Sequence, residues 1–548
     1  MTRHVVIIGA GLAGLAAAEQ ALLAGAEVTV LDQADAPGGQ YHRTLPEEYE
    51  AGTRHGHADF SRQRRVLEHP RCRWWPNSTV WALERRDADN IAADRLGVDQ
   101  TGHASGGGLG VDRSGGDRTE VGGLGADQAD RGRAGVGGLG AGEPGAGHAG
   151  VGGQGADPVV PGRAGVDRLG ADHFEGDSPG AGRPPLVHVL RGDADGSARE
   201  RHVLTPDALI IATGAHDRTL PFPGWQLPGV FTAGAAQALA KGEGVAVGRR
   251  VLVAGSGPFL LPVAESLLGV GADVVAVLEA NNIATVRKGW SRQPWRLIRH
   301  VGKAGELIRY AGTLARHRVS YRMGRTVVEA KGEGRVREVV TARVNPDWSV
   351  INGTERTYQV DAVCVGHGFV PQLELAVAAG CDLDGGFVRV DRDQRTTARG
   401  VFAAGEVTGI GGAVAAAAEG AVAGRVAAGG VADQKLRRAR DQSGEFAQRL
   451  AQGHPIGNAW AGWLRPDTVV CRCEETTVAE LREAAGDPVQ AGPHALKLGT
   501  RAGLGPCQGR MCGPAVAELC GGTAAHHRPI AQPIRLGELA QKETHEHP

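Results

Sequence analysis

The chain lacks three features that would place it in common classes of protein. Its 548 residues contain no apolar run of the ~18–20 residues that a membrane-spanning helix needs. The formal net charge is -1, so the basic excess typical of nucleic-acid-binding proteins is absent. Cysteine occurs only 8 times, which is too few for a disulfide scaffold. We therefore expect neither a membrane span nor a nucleic-acid partner.

A secretory signal peptide is also not expected. Arg3 and His4 precede an apolar, Ala-rich run, as they would in a signal peptide. However, this run carries glycines at fixed offsets and continues into the apolar segment 28–32. A strand–loop–helix–strand unit explains that pattern better, and the cytoplasm is the expected location.

Aromatic and large apolar residues are rare between about residues 96 and 183. From about Leu96 to Arg183 the chain consists mostly of Gly, Ala, Asp and Arg in irregular near-repeats, and Phe174 is the only aromatic residue. Such a segment cannot bury enough apolar surface to offset its ordering entropy. The irregular period argues against a solenoid. We interpret 96–183 as a disordered insertion in a surface hairpin.

The rest of the chain alternates between short apolar runs and helix-like segments. A strand–loop–helix–strand unit is predicted at 4–32 and a second one at 250–279. Further strands are expected near 79–85, 186–190, 208–214, 361–365 and 400–405, with helices within 287–322 and at about 413–428. This alternation predicts an α/β fold with parallel, doubly wound sheets.

The first glycine loop indicates a dinucleotide site. Gly9, Gly11 and Gly14 follow the first strand and open the first helix. Gly9 permits the tight turn, Gly11 lets a pyrophosphate approach the backbone, and Gly14 lets helix and strand pack closely. The helix N-terminus offers unpaired N–H groups to the phosphate. Asp32 ends the next strand, where a carboxylate can accept hydrogen bonds from ribose hydroxyls.

Three later motifs suggest which dinucleotide binds there. They are Gly38-Gly39-Gln40, Ala212-Thr213-Gly214 and Gly405-Glu406. Together with the first loop they resemble the two-dinucleotide-domain flavoproteins, the glutathione-reductase-like class, which implies FAD. That class usually has Asp where this chain has Glu406, one methylene longer with the same charge. No cysteine pair lies close in sequence before residue 471, so disulfide-reductase chemistry is not expected.

A second glycine loop lies at Gly255-Ser256-Gly257, but Leu260 replaces its third glycine. Glu279 ends the following strand and could bind ribose hydroxyls, and it would repel a 2′-phosphate. NAD is therefore preferred over NADP here. A degenerate, purely structural nucleotide fold remains the alternative to a real adenine-nucleotide site.

Four cysteines near the C-terminus form a metal-site pattern. Cys471 and Cys473 flank one arginine, and Cys507 and Cys512 follow among glycines. Four thiolates can hold a 2Fe-2S cluster with two ligands on each iron. Zinc is the rival, although zinc sites favour C-x-x-C pairs and this chain has C-x-C and C-x-x-x-x-C. Backbone N–H groups beside Gly503, Gly505 and Gly509, and the charges of Arg472 and Arg510, could tune a cluster; the alternative is that both arginines face solvent.

Several segments carry a more specific resemblance. VVCRCEETT, TRAGLGPCQGRMC, FPGWQLPGVFTAGAAQ, GHGFVPQLELAVAAGC and VFAAGEVTGIGGA resemble the FAD-containing subunits of hydrogen cyanide synthase, opine oxidase and bacterial proline or hydroxyproline dehydrogenases. The C-terminal part is similar to the ferredoxin that partners bacterioferritin. The resemblance implies a heteromer in which a second flavoprotein subunit oxidises an amine or amino acid. It carries FAD binding onto Gly9, Gly11, Gly14 and Asp32, and the 2Fe-2S cluster onto the four cysteines.

These signals predict a domain layout. The FAD-binding domain comprises three parts, 1–95, 184–240 and 363–430, interrupted by the insertion 96–183 and by a second nucleotide-binding domain at 241–362. A linker at 431–462 leads to a small, α-rich 2Fe-2S domain at 463–525, and 526–548 form a tail.

Three functions are compatible with the sequence. The first is the FAD and 2Fe-2S subunit of an amine or amino-acid dehydrogenase, in which cofactors do the chemistry and the protein sets distance and potential. The second is a self-sufficient NADH-dependent reductase that uses the Gly255 loop. The third is a non-catalytic scaffold with structural zinc. His42, His216 and His367 lie beside flavin-domain motifs, but the sequence identifies no catalytic base.

Overall fold

The structure is a computed structural model that describes residues 2–42, 57–85, 183–194, 196, 199–291, 301–486, 492–522, 530–542 and 544–546. The predicted insertion 96–183 lies outside these ranges, apart from its last residue.

The strands of the described chain are β1 (His4–Ile8), β2 (Glu27–Leu31), β3 (Cys72–Trp75), β4 (Ser78–Glu84), β5 (Leu186–Arg191), β6 (Glu200–Leu204), β7 (Ala208–Ile211), β8 (Ala215–Asp217), β9 (Val230–Thr232), β10 (Arg250–Gly255), β11 (Asp273–Glu279), β12 (Ser320–Met323), β13 (Arg325–Lys331), β14 (Glu338–Arg343), β15 (Arg356–Gln359), β16 (Ala362–Gly366), β17 (Phe369–Pro371), β18 (Leu383–Asp384), β19 (Phe387–Val388), β20 (Val401–Ala403), β21 (Val469–Cys471), β22 (Thr476–Thr477) and β23 (Thr544–Glu546).

Its helices are α1 (Leu12–Leu23), α2 (His57–Arg64), α3 (Ala233–Gly242), α4 (Leu260–Gly269), α5 (Ile283–Ser291), α6 (Val301–Arg316), α7 (Glu374–Ala378), α8 (Gly412–Ala427), α9 (Gln434–Gly453), α10 (Val478–Gly486), α11 (Pro493–Thr500), α12 (Gly513–Leu519) and α13 (Leu536–Leu539), with 3₁₀ turns at Arg65–Glu68 and Trp460–Trp463.

The first parallel sheet has the strand order β20-β7-β1-β2-β3. All five residues of β1, His-Val-Val-Ile-Ile, are buried, as a strand covered on both faces requires. Helices α1 and α8 pack side by side on this sheet. A Cβ atom at Gly420 or Gly424 would lie 2.0 Å from the carbonyl oxygen of Ala13 or Ala17, so the two helices touch backbone to backbone. The Ala- and Gly-rich sequence of both helices is therefore a packing requirement.

The second parallel sheet has the order β12-β11-β10-β16-β9. The predicted unit at 250–279 is confirmed: β10 and β11, joined by α4, pair in parallel from Arg250 opposite Asp273 to Gly255 opposite Glu279, with one register shift after Val251. The sequence predicts only helices within 287–322, but this stretch ends in β12, which adds an edge strand next to β11. An antiparallel sheet, β13-β14-β15, accompanies this domain.

A four-stranded sheet, β23-β6-β5-β4, lies on the first domain. Strands β4 and β5 pair antiparallel, and the undescribed residues 86–182 lie between them in sequence. The sequence predicts the insertion between the two strands of a hairpin, and β4 and β5 are the strands that flank it in the sequence.

The region predicted as a linker is mostly the helix α9. Asp433 caps its N-terminus by accepting a hydrogen bond from the Leu436 N–H at 2.8 Å. Its C-terminal end packs tightly on α5, since a Cβ atom at Gly289 would lie 2.3 Å from the Gly453 nitrogen. The chain then enters a small domain built from β21, β22 and α10 to α12 around buried Trp348, Trp460 and Trp463.

The last described residues return to the first domain. Ala531 is buried in the core beneath the sheet β23-β6-β5-β4. Glu538 accepts two hydrogen bonds from Arg199, at 2.7 and 2.8 Å, and both side chains are less than 9 % exposed. Strand β23 then pairs parallel to β6. The segment predicted as a tail thus contributes a strand and an ion pair to the FAD-binding part.

We predict that Glu538→Gln weakens this attachment by about 2 kcal/mol, between the roughly 0–1 of an exposed pair and the roughly 3–5 of a deeply buried one. Hydrogen exchange of the β6 amides measures the local free energy of opening. The Arg199 guanidinium lowers the pKa of Glu538. The ion pair therefore stabilises the attachment at neutral pH. This stabilisation decreases as the pH falls below 4.5, the ordinary pKa of a Glu side chain, and it is lost as the pH falls through the lowered pKa of Glu538.

Asp273→Asn is the matched control, because its pair with Arg250 is 3.6 Å long and more than half exposed. Unchanged exchange in β6 of Glu538→Gln would contradict the assigned role.

Candidate functional site

The first glycine loop crosses the carboxyl end of the first sheet. Gly9 has φ +107, which favours glycine, and a Cβ atom there would lie 2.2 Å from the carbonyl oxygen of Ala212. A Cβ atom at Gly14 would lie 1.8 Å from the carbonyl oxygen of Gly9. Both positions therefore need glycine so that the loop, β7 and α1 can meet.

Gly11 differs from its two neighbours in the motif. A Cβ atom at Gly11 would meet nothing within 4 Å, and the residue lines the large cavity at this edge of the sheet. Gly39, with φ +58, faces it from the next loop, and a Cβ atom there would lie 3.2 Å from the Gly11 Cα. The fold does not require glycine at 11, so its missing side chain leaves space for a ligand.

Asp32 stands beside this space. Its carboxylate accepts hydrogen bonds from the N–H groups of Ala10, at 2.6 Å, and Ala34, at 2.9 Å. The residue is only half buried and lines the cavity. An ionised carboxylate has about four lone-pair positions, so Asp32 can brace the glycine loop and still accept from ribose hydroxyls.

The other predicted FAD residues line the same cavity: Gln40, Thr213, Gly214, Gly405 and Glu406. The Thr213 hydroxyl donates to the carbonyl oxygen of Gln372 at 3.0 Å, so this side chain joins two loops. Glu406 is half buried, and its burial raises the pKa of the carboxyl group.

Sequence reasoning missed Glu419, a lone acidic residue within the Ala-rich helix α8. Its carboxylate accepts from the Gly405 N–H at 2.8 Å and from the Thr408 hydroxyl at 2.7 Å. Burial raises the pKa of Glu419 to about 7, although both donors and the Arg440 charge oppose the change. The available signal was a single carboxylate in a helix that consists, apart from Arg425, of Gly, Ala and Val.

The three histidines named from the sequence have different surroundings. His42 stacks on Phe60, with ring centroids 4.2 Å apart. His367 is buried beside Trp348, and burial lowers its pKa to about 3. Burial also lowers the pKa of His216, and all three histidines line the cavity. His216 and His367 are therefore neutral near pH 7.

The second glycine loop lines the same cavity through Gly257, but its acidic residue is enclosed. Glu279 is 0 % exposed and accepts hydrogen bonds from Gly257 N at 2.7 Å and Asn281 N at 2.9 Å. His454, which follows α9, lies 3.3 Å from the same carboxylate. A ribose contact to Glu279 would require this shell to open, whereas Asp32 is already accessible.

The four cysteines come together in two pairs. The thiols of Cys471 and Cys512 share a hydrogen bond, which lowers the pKa of Cys471 to about 5 and raises that of Cys512. Cys473 and Cys507 also share a hydrogen bond; burial, together with the neighbouring Cys507 and Cys471, raises the pKa of Cys473. Cys471 and Cys512 are buried, Cys507 is half buried and Cys473 is exposed.

Backbone groups converge on these sulfurs. Cys471 accepts hydrogen bonds from the N–H groups of Gly503, Glu474 and Cys473. A Cβ atom at Gly505 would lie 2.2 Å from the Cys473 Cβ, so glycine is needed where the two cysteine segments meet. Such N–H donors stabilise thiolates bound to iron.

The two arginines beside the cysteines are both engaged by the flavin domain. The Arg472 guanidinium lies over the Trp225 ring, 5.2 Å from its centroid. Arg510 forms an ion pair with Glu374 at 2.7 Å, and both side chains are at most 15 % exposed.

The donor set of four thiols, arranged two by two, fits a 2Fe-2S cluster, since each iron takes two thiolates. Within the described ranges, no group of three or more His, Cys, Asp or Glu side chains is arranged to hold a single metal ion. This holds for the cysteine quartet as well, so the choice between iron–sulfur and zinc rests on the donor set and its spacing.

Comparison with known proteins agrees with the fold. Residues 7–65 match the family model described as NAD(P)-binding Rossmann-like domain, and residues 187–420 match pyridine nucleotide-disulphide oxidoreductase. The A subunit of opine oxidase from Agrobacterium tumefaciens is 33% identical over 383 residues, which cover 63% of this chain and 71% of that protein. The chain belongs to the family of opine oxidase A subunits.

A second relative supports the same family. Hydrogen cyanide synthase subunit HcnB of Pseudomonas aeruginosa is 32% identical over 336 residues, 58% of this chain and 70% of HcnB. Among solved structures, L-proline dehydrogenase from P. horikoshii superposes with a TM-score of 0.54 at 16% identity, covering 99% of this chain and 80% of that one. At that identity the match shows the fold alone.

This member of the opine oxidase family is therefore a FAD-dependent oxidoreductase with two Rossmann-like domains. In the part of the chain that the structure describes, no helix combines the length and apolar character needed to cross a bilayer.

Gly11 faces the cavity, whereas Gly14 packs against the Gly9 carbonyl group, so substitutions at the two positions should have different effects. Gly11→Val should abolish FAD retention with little effect on the stability of the apoprotein, because its side chain would enter the open cavity. Gly14→Ala should destabilise the apoprotein by about 1–3 kcal/mol through overlap with the Gly9 carbonyl group. The FAD-to-protein ratio and urea unfolding of the apoproteins measure the two effects. Full FAD content in Gly11→Val would show that the ligand does not approach this loop.

Proposed function

We propose that this protein is the electron-transferring subunit of a heteromeric amine or amino-acid dehydrogenase, with substrates of the opine, proline, hydroxyproline or glycine type. FAD binds along the first glycine loop, with contacts at Gly9, Gly11, Gly14, Asp32, Gly39, Gln40, Thr213, Gly214, Gly405 and Glu406. Cys471, Cys473, Cys507 and Cys512 hold a 2Fe-2S cluster.

The observation that carries this proposal is the location of the cysteine quartet. The loop from Cys507 to Cys512 packs against the wall of the FAD cavity, because its Arg510 pairs with Glu374, a cavity residue, at 2.7 Å. Next to it, the Thr219 hydroxyl donates to the carbonyl oxygen of Met511 at 2.8 Å, and Arg218, also a cavity residue, pairs with Glu518 of α12. A one-electron centre beside a two-electron flavin is the arrangement that converts a hydride transfer into single-electron steps.

FAD would supply two-electron redox chemistry and the cluster one-electron chemistry. The chain's own residues orient and insulate both groups. Asp32 and the glycine turn fix the dinucleotide end, and the apolar surroundings of Cys471 and Cys512 exclude water from one side of the quartet. Exposed Cys473 leaves the other side open. We infer that electrons leave toward an external acceptor from this open side.

The relatives support the heteromeric part of the proposal. The opine oxidase relative and HcnB are both named as subunits. A second flavoprotein subunit would then bring the amine or amino acid, and this chain would receive its electrons.

The other two functions have less support. A self-sufficient NADH reductase would need an accessible nucleotide site at Gly255, Gly257 and Glu279, and Glu279 is fully buried. A scaffold with structural zinc would use the same four cysteines, but their C-x-C and C-x-x-x-x-C spacing departs from the C-x-x-C pairs that zinc sites favour.

We expect protein purified under low oxygen to show flavin bands together with broad iron–sulfur absorbance. It should contain iron and acid-labile sulfide in equal amounts. Cys471→Ser should lose most of both, because it removes a buried ligand of the cluster.

Cys520→Ser is the matched control. Cys520 is half buried at the end of α12 and lies outside the quartet, so its iron content should equal that of the wild type. Zinc without sulfide in the wild-type protein would instead support the scaffold.

Anaerobic mixing with NADH distinguishes the proposed dehydrogenase subunit from a self-sufficient reductase. We expect the flavin absorbance to persist, because the Glu279 carboxylate is enclosed by protein donors. The measurement is stopped-flow absorbance, with dithionite as the positive control for reducibility. Rapid flavin bleaching by NADH would favour the reductase.

A further inference from the structure

One guanidinium joins three separate parts of the chain at the cysteine loop. Arg510 Nε lies 2.7 Å from Glu374 Oε1 on α7. Its Nη1 donates to the carbonyl oxygen of Cys507 at 3.3 Å, and its Nη2 donates to that of Ala531 at 2.8 Å. Arg510 thus connects the cysteine loop, the FAD-binding part and the returning C-terminal segment.

The partners of Arg510 belong to the rigid frame of the flavin site. Glu374 lines the FAD cavity, and the nearby Gln372 is held by Thr213 and by the Gly214 carbonyl group, which accepts from Gln372 N at 3.0 Å. Ala531 is itself fixed, because its N–H donates to the carbonyl oxygen of Trp81 at 2.7 Å. The Arg510 guanidinium therefore contacts two residues, Glu374 and Ala531, that are held in place by parts of the chain outside the cysteine domain.

The two arginines beside the cysteines differ in what faces their charges. Arg510 faces a carboxylate at 2.7 Å, so the pair is neutral and adds little net field at the cysteines. Arg472 lies over an aromatic ring and keeps its positive charge in a largely exposed position. The geometry of Arg510, rather than its charge, is its main contribution, since a planar fork with several donors fixes orientation.

We propose that Arg510 is a positioning residue that fixes the cluster-binding loop against the wall of the FAD cavity and thereby sets the rate of electron transfer from flavin to cluster. This inference rests on the proposed FAD and 2Fe-2S function. In each step one electron leaves the reduced flavin and one electron arrives at the oxidised cluster. The flavin protons pass to water, and a one-electron acceptor later reoxidises the cluster.

The test uses the complete anaerobic protein with both groups bound. The flavin is reduced by a light flash with EDTA as the sacrificial electron donor, and cluster reduction is followed by its visible absorbance. Arg510→Gln should retain its iron and its cluster spectrum, yet transfer electrons roughly tenfold or more slowly, because displacement by about an ångström has effects of this size or larger. Arg510→Lys should restore only part of the rate, since an ammonium group cannot reproduce the fork.

Arg465→Gln is the matched control. Arg465 also joins the cysteine domain to another part of the chain, through Glu329 of β13 at 2.8 Å, but it does not line the flavin cavity. Its electron-transfer rate should stay within about twofold of the wild type, as expected for an exposed pair. Equal slowing in Arg465→Gln and Arg510→Gln would overturn the proposal, since any loosened domain contact would then suffice.

A wild-type rate in Arg510→Gln would also overturn it. If Arg510→Gln fails to fold, Glu374→Gln removes the anchor on the cavity wall and leaves the Cys507 and Ala531 contacts in place. A wild-type rate in iron-replete Glu374→Gln would reject the positioning role. Absence of a cluster from the wild-type protein is a different result, because it would reject the proposed function itself.

Discussion

Backbone-to-backbone contact around α1 is the constraint on which the rest of the structure depends. The helix meets the first sheet through Gly9 and Gly14, and it meets α8 through Gly420 and Gly424. No side chain larger than hydrogen fits at these contacts. Because the helix lies this close to the strands, its N-terminus opens directly onto the cavity, with Gly11 at the entrance and Asp32 beside it. The small residues therefore give both the packing and the space for a phosphate.

The two nucleotide folds of the chain share a backbone plan and differ in what covers their acidic residue. Asp32 and Glu279 each brace their glycine loop through an N–H group, at 2.6 and 2.7 Å. Asp32 remains half exposed, but Glu279 is enclosed by Asn281 and by His454 of the segment that follows α9. Since α9 docks on α5 through Gly289 and Gly453, the helix that leads to the cysteine domain also brings His454 against the second loop. The two acidic residues therefore look equivalent in the sequence, but only Asp32 is accessible to a ligand.

The cysteine domain has an inner and an outer side. Cys471 and Cys512 lie in a core with Trp348, Trp460 and Trp463, whereas Cys473 is exposed. Besides this shared core, partly buried polar contacts attach the cysteine domain to the flavin domain: the Arg510 fork, the Arg218–Glu518 pair and the Trp225 indole, which donates to the carbonyl oxygen of Val469. Buried polar contacts specify one relative orientation, because a shifted arrangement would leave charges unpaired. The proposed electron transfer from flavin to cluster would require such a fixed orientation.

The sequence by itself determined the local elements: the two strand–loop–helix–strand units, the glycine loops, and the residue types at the cysteine quartet. These follow from periodicity and from conformations that only glycine adopts, so neighbouring residues suffice. Tertiary structure alone decided that Glu419 reaches the Gly405 turn, that Glu279 is sealed, that residues 287–322 end in a strand, and that the last residues return to pair with β6. It also decided where Arg472 and Arg510 point, since each meets a partner more than a hundred residues away. Burial and long-range pairing depend on which surfaces meet, and no local pattern encodes that.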